Sequence, residues 1–263
     1  MASLLIYTCA LIGRKSAKIL NLDNAEYLSA LKLEKLAVVL PTYNEVDNIP
    51  ELIERLKSSL KGFDAEVIFV DDGSPDGTAD LAERIGRRLW KCKVVRRPRK
   101  MGLASAVLDG VKLARSDVIA VMDADLQHPP ELLPKMYMKI MEGYDLVVAS
   151  RCVKGGRIEG WSLARRLISL GATKLAHLLL PKARRVKDAM SGYFMIRRSI
   201  LEGTRLNPKG YKILLEVLAK CKVNSVAEVP YTFKPRKRGE SKLGFSEIIS
   251  YLLFLLRLCG SQR

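Results

Sequence analysis

Asp123 and Asp125 stand two residues apart where a run of buried-strand character, from Val118 to Met122, gives way to Gln127-His128-Pro129-Pro130. Side chains at i and i+2 point the same way while the backbone stays extended. The two carboxylates therefore share one face of a strand end or straddle its exit loop. Either arrangement gathers negative charge where an open α/β sheet binds its ligand, outside the carboxyl ends of the strands. The plain alternative is a solvated acidic loop. On a chain with 45 Lys+Arg, 28 Asp+Glu and a net charge of +17, clustered carboxylates call for a counter-charge. Hard oxygen ligands suit Mg²⁺ or Mn²⁺ carrying substrate phosphates.

Three more polar clusters follow apolar runs: Pro41-Thr42-Tyr43-Asn44-Glu45, Asp71-Asp72-Gly73-Ser74, and Pro98 to Gly102. In a doubly wound sheet such ends converge on one crevice, which fits a nucleotide-like ligand. No GxGxxG or GxxxxGK[ST] string occurs, so dinucleotide binding and P-loop chemistry are unsupported. A G-x-S-x-G elbow is also missing, which argues against an α/β-hydrolase.

The elements that must hold these clusters alternate at βα spacing. Leu36 to Leu40 is a continuous apolar run ending at Pro41, as in a fully buried parallel strand. Asp47 is predicted to cap a helix entering through Asn48-Ile49-Pro50-Glu51. Further strands are predicted from Glu66 to Val70, Lys93 to Arg96, Asp117 to Met122 and Tyr144 to Ala149, with helices between them. The expectation is an α/β fold, a Rossmann-like open and mostly parallel sheet flanked by helices on both faces.

Composition changes after Ser150. From Arg151 to Arg198 there are twelve Lys/Arg and two acids, Glu159 and Asp188. Trp161 to Leu180 is predicted as a basic amphipathic helix with Leu163, Leu167, Leu170 and Leu178 recurring, a membrane-interface signature as well as a nucleic-acid one. Met190 to Arg197 returns to strand character, Lys212 to Lys220 is helical, and Val223 to Val229 is a strand. Lys234 to Lys242 forms a second basic patch before a terminal amphipathic helix from Glu247 to Leu258.

At 263 residues the chain can bury a full core, and 48% hydrophobic with 28% charged residues is ordinary for a folded protein. Cys9, Cys92, Cys152, Cys221 and Cys259 show no CxxC spacing and read as reduced, cytosolic thiols. With only His128 and His177, a histidine-rich metal site is excluded. Leu4 to Ile12 and Ile248 to Leu258 both fall short of the ~20 apolar residues that span a bilayer.

The strings LPTYNEVDNIPELI, VDDGSPDGTADLA, RPRKMGLASAVLDGVKLA and VMDADLQHPPELLPKM follow one another in order. With Ser150-Arg151, Asp188-Ala189-Met190-Ser191-Gly192-Tyr193-Phe194, Glu228-Val229-Pro230-Tyr231 and Arg236-Lys237-Arg238-Gly239-Glu240-Ser241-Lys242-Leu243, the chain resembles the catalytic domain of family 2 glycosyltransferases. Within them it is most similar to the dolichol-phosphate mannose synthases and related polyprenol-phosphate glycosyltransferases. The likeness runs from about Leu36 to Leu258 and implies a GT-A type catalytic domain over 36–245. An N-terminal extension of unknown role over 1–35 and a C-terminal amphipathic helix over 246–263 complete the expected organisation.

The resemblance implies roles residue by residue. Pro41, Tyr43, Glu45, Asp71 and Asp72 would hold base and ribose. Asp123, Asp125 and Gln127 would surround the divalent cation, Mg²⁺ or Mn²⁺, on the diphosphate, with Asp123 also on the nucleotide side. Asp188 would sit near the sugar or the attacking phosphate. Arg151 and Arg165 would grip the acceptor phosphate, and Arg236, Ser241 and Lys242 would close over phosphates. The implied reaction is mannose transfer from GDP-mannose to dolichyl phosphate with inversion, Asp125, Asp188 and Arg151 being the catalytic candidates. A UDP-glucose donor and a non-lipid acceptor are the alternatives.

An acceptor phosphate monoester, with a second pKa of about 6, arrives largely dianionic, so no dedicated base is required. Basic patches that hold two repelling phosphates explain the charge without nucleic acid, which carboxylates at the strand ends would repel. The expected location is peripheral, on the cytoplasmic face of a membrane, with no anchor or one borrowed from a partner subunit.

Overall fold

The computed structural model describes residues 34–89, 91–206, 212–235 and 245–260. All of the predicted extension except Glu34 and Lys35 lies outside the described residues. Seven strands form one sheet: β1 (Leu36–Thr42), β2 (Ala65–Asp71), β3 (Cys92–Arg96), β4 (Val118–Val121), β5 (Leu146–Ser150), β7 (Phe194–Arg197) and β8 (Val226–Pro230), in the order β3-β2-β1-β4-β7-β5-β8. β1, β2, β4 and β5 are buried along their whole length. That burial is why their sequences read as unbroken apolar runs rather than alternating ones.

β3, β2, β1 and β4 are parallel neighbours, and β5 is parallel to β8. β7 runs antiparallel between them, pairing Val121 with Phe194 on one side and Val148 with Phe194 on the other. The sheet is thus mixed. The strand predicted from Met190 narrows to Phe194–Arg197, because Ser191 Oγ bonds the carbonyls of Ala149 and Tyr193 and holds the lead-in as a loop.

Helices α1 (Ile49–Ser59), α2 (Thr78–Gly86), α3 (Leu103–Leu113) and α4 (Leu133–Met141) cover the sheet. The predicted cap at Asp47 is corrected by one residue: Asn48 occupies the N-cap position of α1 and makes no side-chain cap bond. Its amide donates instead to Glu45 Oε2 at 2.6 Å, so the polar group is used to brace the preceding loop. Two apolar clusters result, one on each sheet face. Val39, Ile119, Val148 and Phe194 belong to the first; Val38, Ala120, Val147 and Tyr193 belong to the second. Consecutive strand residues thus divide between the faces, as the pleat requires.

The second half adds α5 (Leu163–Leu179), the short α6 (Arg198–Leu201), α7 (Ile213–Lys220) and α8 (Phe245–Gly260). α5 begins two residues later than predicted because Ser162 caps it: Ser162 Oγ accepts from the Arg165 N–H. Its recurring leucines face outward, with Leu163 at 78% and Leu167 at 68% exposure, while Ala176 is buried. α8 lies beside it, Tyr251 Oη donating to the Ala172 carbonyl at 2.7 Å. α8 buries Phe254, Leu255 and Leu258 but exposes Leu253 and Leu256. Among the described residues no helix is long and apolar enough to cross a membrane. A second, two-stranded sheet pairs β6 (Arg157–Ile158) with β9 (Thr232–Phe233), too short for any periodicity in the sequence to reveal.

Candidate active site

The carboxyl ends of β1, β2 and β4 open on one edge of the sheet. Antiparallel β7 brings its amino-terminal lead-in to that same edge. β5 and β8 finish there too, with Ser150 paired to Pro230. The predicted clusters are therefore assembled by topology. Pro41 and Thr42 end β1, and Tyr43 and Glu45 follow in its exit loop.

Asp71 and Asp72 are buried at the end of β2. Asp71 accepts from Thr42 Oγ1 (3.1 Å), the Ser74 N–H (2.9 Å) and Ser74 Oγ (2.6 Å). Asp72 Oδ1 accepts from Arg97 Nη1 (2.7 Å) and the Met101 N–H (2.9 Å), and Oδ2 from the Gly102 N–H (2.8 Å). Both carboxylates stitch neighbouring loops into a wall, a role that their position in a motif did not disclose. The wall carries Lys100, whose Nζ lies 3.9 Å from the centroid of the Tyr43 ring, within cation–π range. Glu45 is tied down by its own N–H, which donates to Thr78 Oγ1.

After β4, Leu126 takes a positive φ of 64°, uncommon for a non-glycine residue, and folds the acidic loop back on itself. Asp125 Oδ1 accepts from the Gln127 N–H at 3.1 Å. His128 Nδ1 accepts from the Asp123 N–H at 2.9 Å, and the imidazole stacks on Tyr193 with centroids 5.1 Å apart. Burial pushes the His128 pKa down to about 4, reinforced by Arg151 and Lys212 against the opposing pull of Asp125 and Asp188. The ring is neutral at pH 7, as an acceptor at Nδ1 must be.

The donor set fits a hard cation. Asp125 is buried and the Asp123 side chain is 34% exposed. Gly192 lies beside this loop: a Cβ there would make ordinary contacts with His128 Cε1 at 3.4 Å and Asp123 Oδ2 at 3.5 Å. Gln127 Nε2 donates to the Lys234 carbonyl at 2.6 Å, which ties the acidic loop to the segment after β9. Among the described residues no three His, Cys, Asp or Glu side chains form a protein-only cage. Two carboxylates and an amide, completed by phosphate oxygens and water, is the pattern Mg²⁺ favours.

Arg151 follows β5 and meets Asp188 in a buried fork, with Nε to Oδ2 and Nη2 to Oδ1 both at 2.7 Å. Asp188 Oδ2 also accepts the Arg151 N–H at 2.9 Å. Burial works against the Arg151 charge, but its hydrogen bonds to the Asp188 carboxylate outweigh that and hold the pKa above the ordinary value. Arg165, in the first turn of α5, stacks on Trp161 with Cζ 4.4 Å from the ring centroid. Arg236, Ser241 and Lys242 lie outside the described residues.

Residues not singled out from sequence complete the site. Lys212, just before α7, donates from Nζ to the Met190 carbonyl at 3.2 Å. Burial, with Arg151 adding to it, lowers its pKa to about 8 while Asp123 and Asp188 oppose the shift. Glu228 on β8 accepts the N–H groups of Lys187 (2.8 Å) and Asp188 (3.2 Å) and so sets the peptide that aims Asp188. Glu228 lay within a recognisable motif; Lys212 had no local signal beyond its charge. Asp123, Asp125, Asp188 and Arg151 all act on Tyr231, whose hydroxyl burial holds protonated, and Asp123, Asp188 and Arg151 act on Lys212 as well.

Sequence and fold comparisons relate the chain to known proteins. The chain is 48% identical over 224 residues to a dolichol-phosphate mannosyltransferase of Pyrococcus furiosus, an alignment covering 85% of this chain and 63% of that protein. It therefore spans a little under two thirds of that relative's length. It is 36% identical over 234 residues to a dolichol-phosphate mannosyltransferase of Saccharomyces cerevisiae, covering 84% of this chain and 86% of the other. In three dimensions it matches glucosyl-3-phosphoglycerate synthase from Mycobacterium tuberculosis, solved with Mn²⁺, UDP and glucosyl-3-phosphoglycerate. The TM-score is 0.67 at 23% identity, covering 91% of this chain and 85% of the other. That likeness carries the fold, a GT-A type mixed α/β sheet flanked by helices. The sequence model for glycosyl transferase family 2 matches residues 37–204, and the chain belongs to that family.

Proposed function

We propose that the protein transfers mannose from GDP-mannose to dolichyl or polyprenyl phosphate with inversion, giving a β-linked lipid phosphate sugar. The observation that carries this reading is the acidic loop of Asp123 and Asp125 at the β4 exit on the same sheet edge as the Arg151–Asp188 fork. Its substrate is suggested by the relatives named dolichol-phosphate mannosyltransferase.

Tyr43, Glu45 and the Asp71–Asp72 wall receive the nucleoside. Asp123, Asp125 and the amide oxygen of Gln127 would hold Mg²⁺ or Mn²⁺, which when bound supplies Lewis-acid neutralisation of the departing diphosphate. Arg151 and Arg165 draw the acceptor phosphate toward the anomeric carbon, with Arg236, Ser241 and Lys242 closing over phosphates. A phosphate oxygen forms the new bond to that carbon as the bond to the GDP oxygen breaks. The nucleophile needs no proton removed, so no residue of the chain acts as base.

The exposed leucines of α5, beside Arg165, Arg166 and Lys174, suit the cytoplasmic surface of a membrane, where the isoprenoid tail stays in the bilayer. The test is transfer to a phosphorylated polyprenol from GDP-mannose and UDP-glucose, with Mg²⁺, Mn²⁺ or a chelator. Turnover with GDP-mannose that stops on chelation is expected. Preference for UDP-glucose, or undiminished turnover under chelation, would overturn the donor or the metal assignment respectively.

A further inference from the structure

Two adjacent buried carboxylates fix the two loops that meet at Tyr43. Asp71 accepts from Thr42 Oγ1 and from Ser74 Oγ, and Ser74 Oγ in turn accepts the Asn44 N–H at 2.9 Å. Tyr43 is thereby pinned through the residues on both sides of it. Asp72 accepts from Arg97 Nη1 and from the N–H groups of Met101 and Gly102, so Lys100 stands immediately before the first anchored amide. Gly73, at a positive φ of 76°, packs so closely that a Cβ there would lie 3.0 Å from the Arg99 Cα. The backbone on either side of Lys100 is thus held, and the side chain is exposed with Nζ 3.9 Å from the Tyr43 ring centroid.

We propose that Lys100 is a specificity-determining residue of the donor site: its ammonium donates to the oxo edge of a 6-oxopurine and so favours guanine over adenine. This rests on the reading above that Tyr43 and the Asp71–Asp72 wall receive the nucleoside of GDP-mannose. The sequence pattern points to Asp71 and Asp72 as the nucleoside contacts, but each already accepts three protein hydrogen bonds. A carboxylate offers about four acceptor sites, and both side chains are buried. What this wall turns to solvent is the cation that Asp72 holds in place.

The chemistry of that cation sets the preference. A lysine ammonium carries three donors and no acceptor. Guanine presents O6 and N7 side by side as acceptors, whereas adenine presents an amine donor in place of O6. Facing adenine, the ammonium meets a donor with a donor. The Tyr43 face keeps the flexible lysine stem close to the base before the ligand arrives, through a cation–π contact weak enough at an exposed site to be exchanged for a hydrogen bond. A base laid on Tyr43 takes up the layer in which the ammonium now sits and leaves it the edge of the base. The 2-amino group of guanine has no part in this contact.

The experiment uses the full chain and titrates GDP, inosine diphosphate and ADP into wild type, K100M and K100R by calorimetry with Mg²⁺ present. Thermal midpoints are measured alongside. Methionine keeps most of the stem without the charge, and arginine keeps the charge and the donors. Wild type is expected to bind GDP at least about ten-fold more tightly than ADP. K100M should weaken GDP and inosine diphosphate by the same factor, about ten-fold, while its ADP affinity and thermal midpoint stay at wild-type values. K100R should recover most of the preference for GDP over ADP. Equal losses for all three nucleotides would make Lys100 a phosphate contact and overturn the specificity role, as would a K100M protein that keeps the wild-type preference. Either result leaves the donor reading standing. A wild-type protein that fails to bind GDP would overturn that reading, and the role of Lys100 with it.

Discussion

The Arg151 guanidinium and the Asp188 carboxylate face each other through two parallel hydrogen bonds of 2.7 Å, with side chains only 9% and 2% exposed. A buried ion pair is most consequential when half of it is removed, because the remaining charge is left without compensation. Asp188→Ala is expected to lower stability by about 3–5 kcal/mol and to abolish turnover. Arg151→Lys keeps the charge but not the fork and should fall between wild type and Arg151→Ala. Denaturant unfolding alongside acceptor kinetics checks both.

Asp125→Asn preserves shape, since its amide oxygen can still accept the Gln127 N–H. Loss of the negative charge should cut metal-dependent transfer at least about 100-fold while leaving the thermal midpoint near wild type. Titration of Mn²⁺ with GDP by calorimetry separates lost cation binding from lost chemistry. Normal turnover in this variant would remove Asp125 from the cation set.

Asp72 anchors two backbone N–H groups and a buried guanidinium. Asp72→Ala should destabilise the fold by about 3 kcal/mol or more, as buried donors lose their acceptor. Affinity for GDP should fall with it, because the anchored loop carries Lys100 over Tyr43. Asp72→Asn should retain part of both. An Asp72→Ala protein of wild-type stability that had lost nucleotide binding would instead make Asp72 a direct ligand contact.

Glu66 provides a pH signature far from the chemistry. Burial pushes its pKa up, but hydrogen bonds from Lys93, the Arg115 N–H and Ser116 outweigh that and hold it below the usual carboxylate range. A group whose folded pKa is depressed stabilises above its unfolded pKa, about 4.3, and loses that contribution as pH falls through the folded value. Glu66→Gln should therefore be less stable than wild type at pH 7, with the gap closing below about pH 4. A gap independent of pH would show that the charge contributes nothing.

Much of the first half was legible in sequence because fully buried parallel strands must be apolar at every position. The runs in β1, β2, β4 and β5 could hardly fold otherwise. The polar clusters that follow β1, β2 and β4 were readable for the same reason, since chemistry in an open sheet collects at the carboxyl ends. Cap chemistry misled by one residue at Asp47, and the strand before Phe194 was drawn too long. In each case a polar side chain was spent elsewhere: Asn48 on Glu45 in the preceding loop, and Ser191 on the distant Ala149 carbonyl, a tertiary bond that the linear pattern does not encode.

What the chain order alone fixed was which residues carry charge and which strands are buried; what it left open was their meeting. Asp125 and Asp188 are neighbours in the site only because β7 runs antiparallel between β4 and β5, which brings the start of one strand to the ends of two others. The same inversion brings Asp188 to Arg151 and the Met190 carbonyl to Lys212 Nζ. Strand direction is a property of the assembled sheet, set by the hydrogen bonds available on both flanks. Only tertiary structure could decide that these scattered charges form one site.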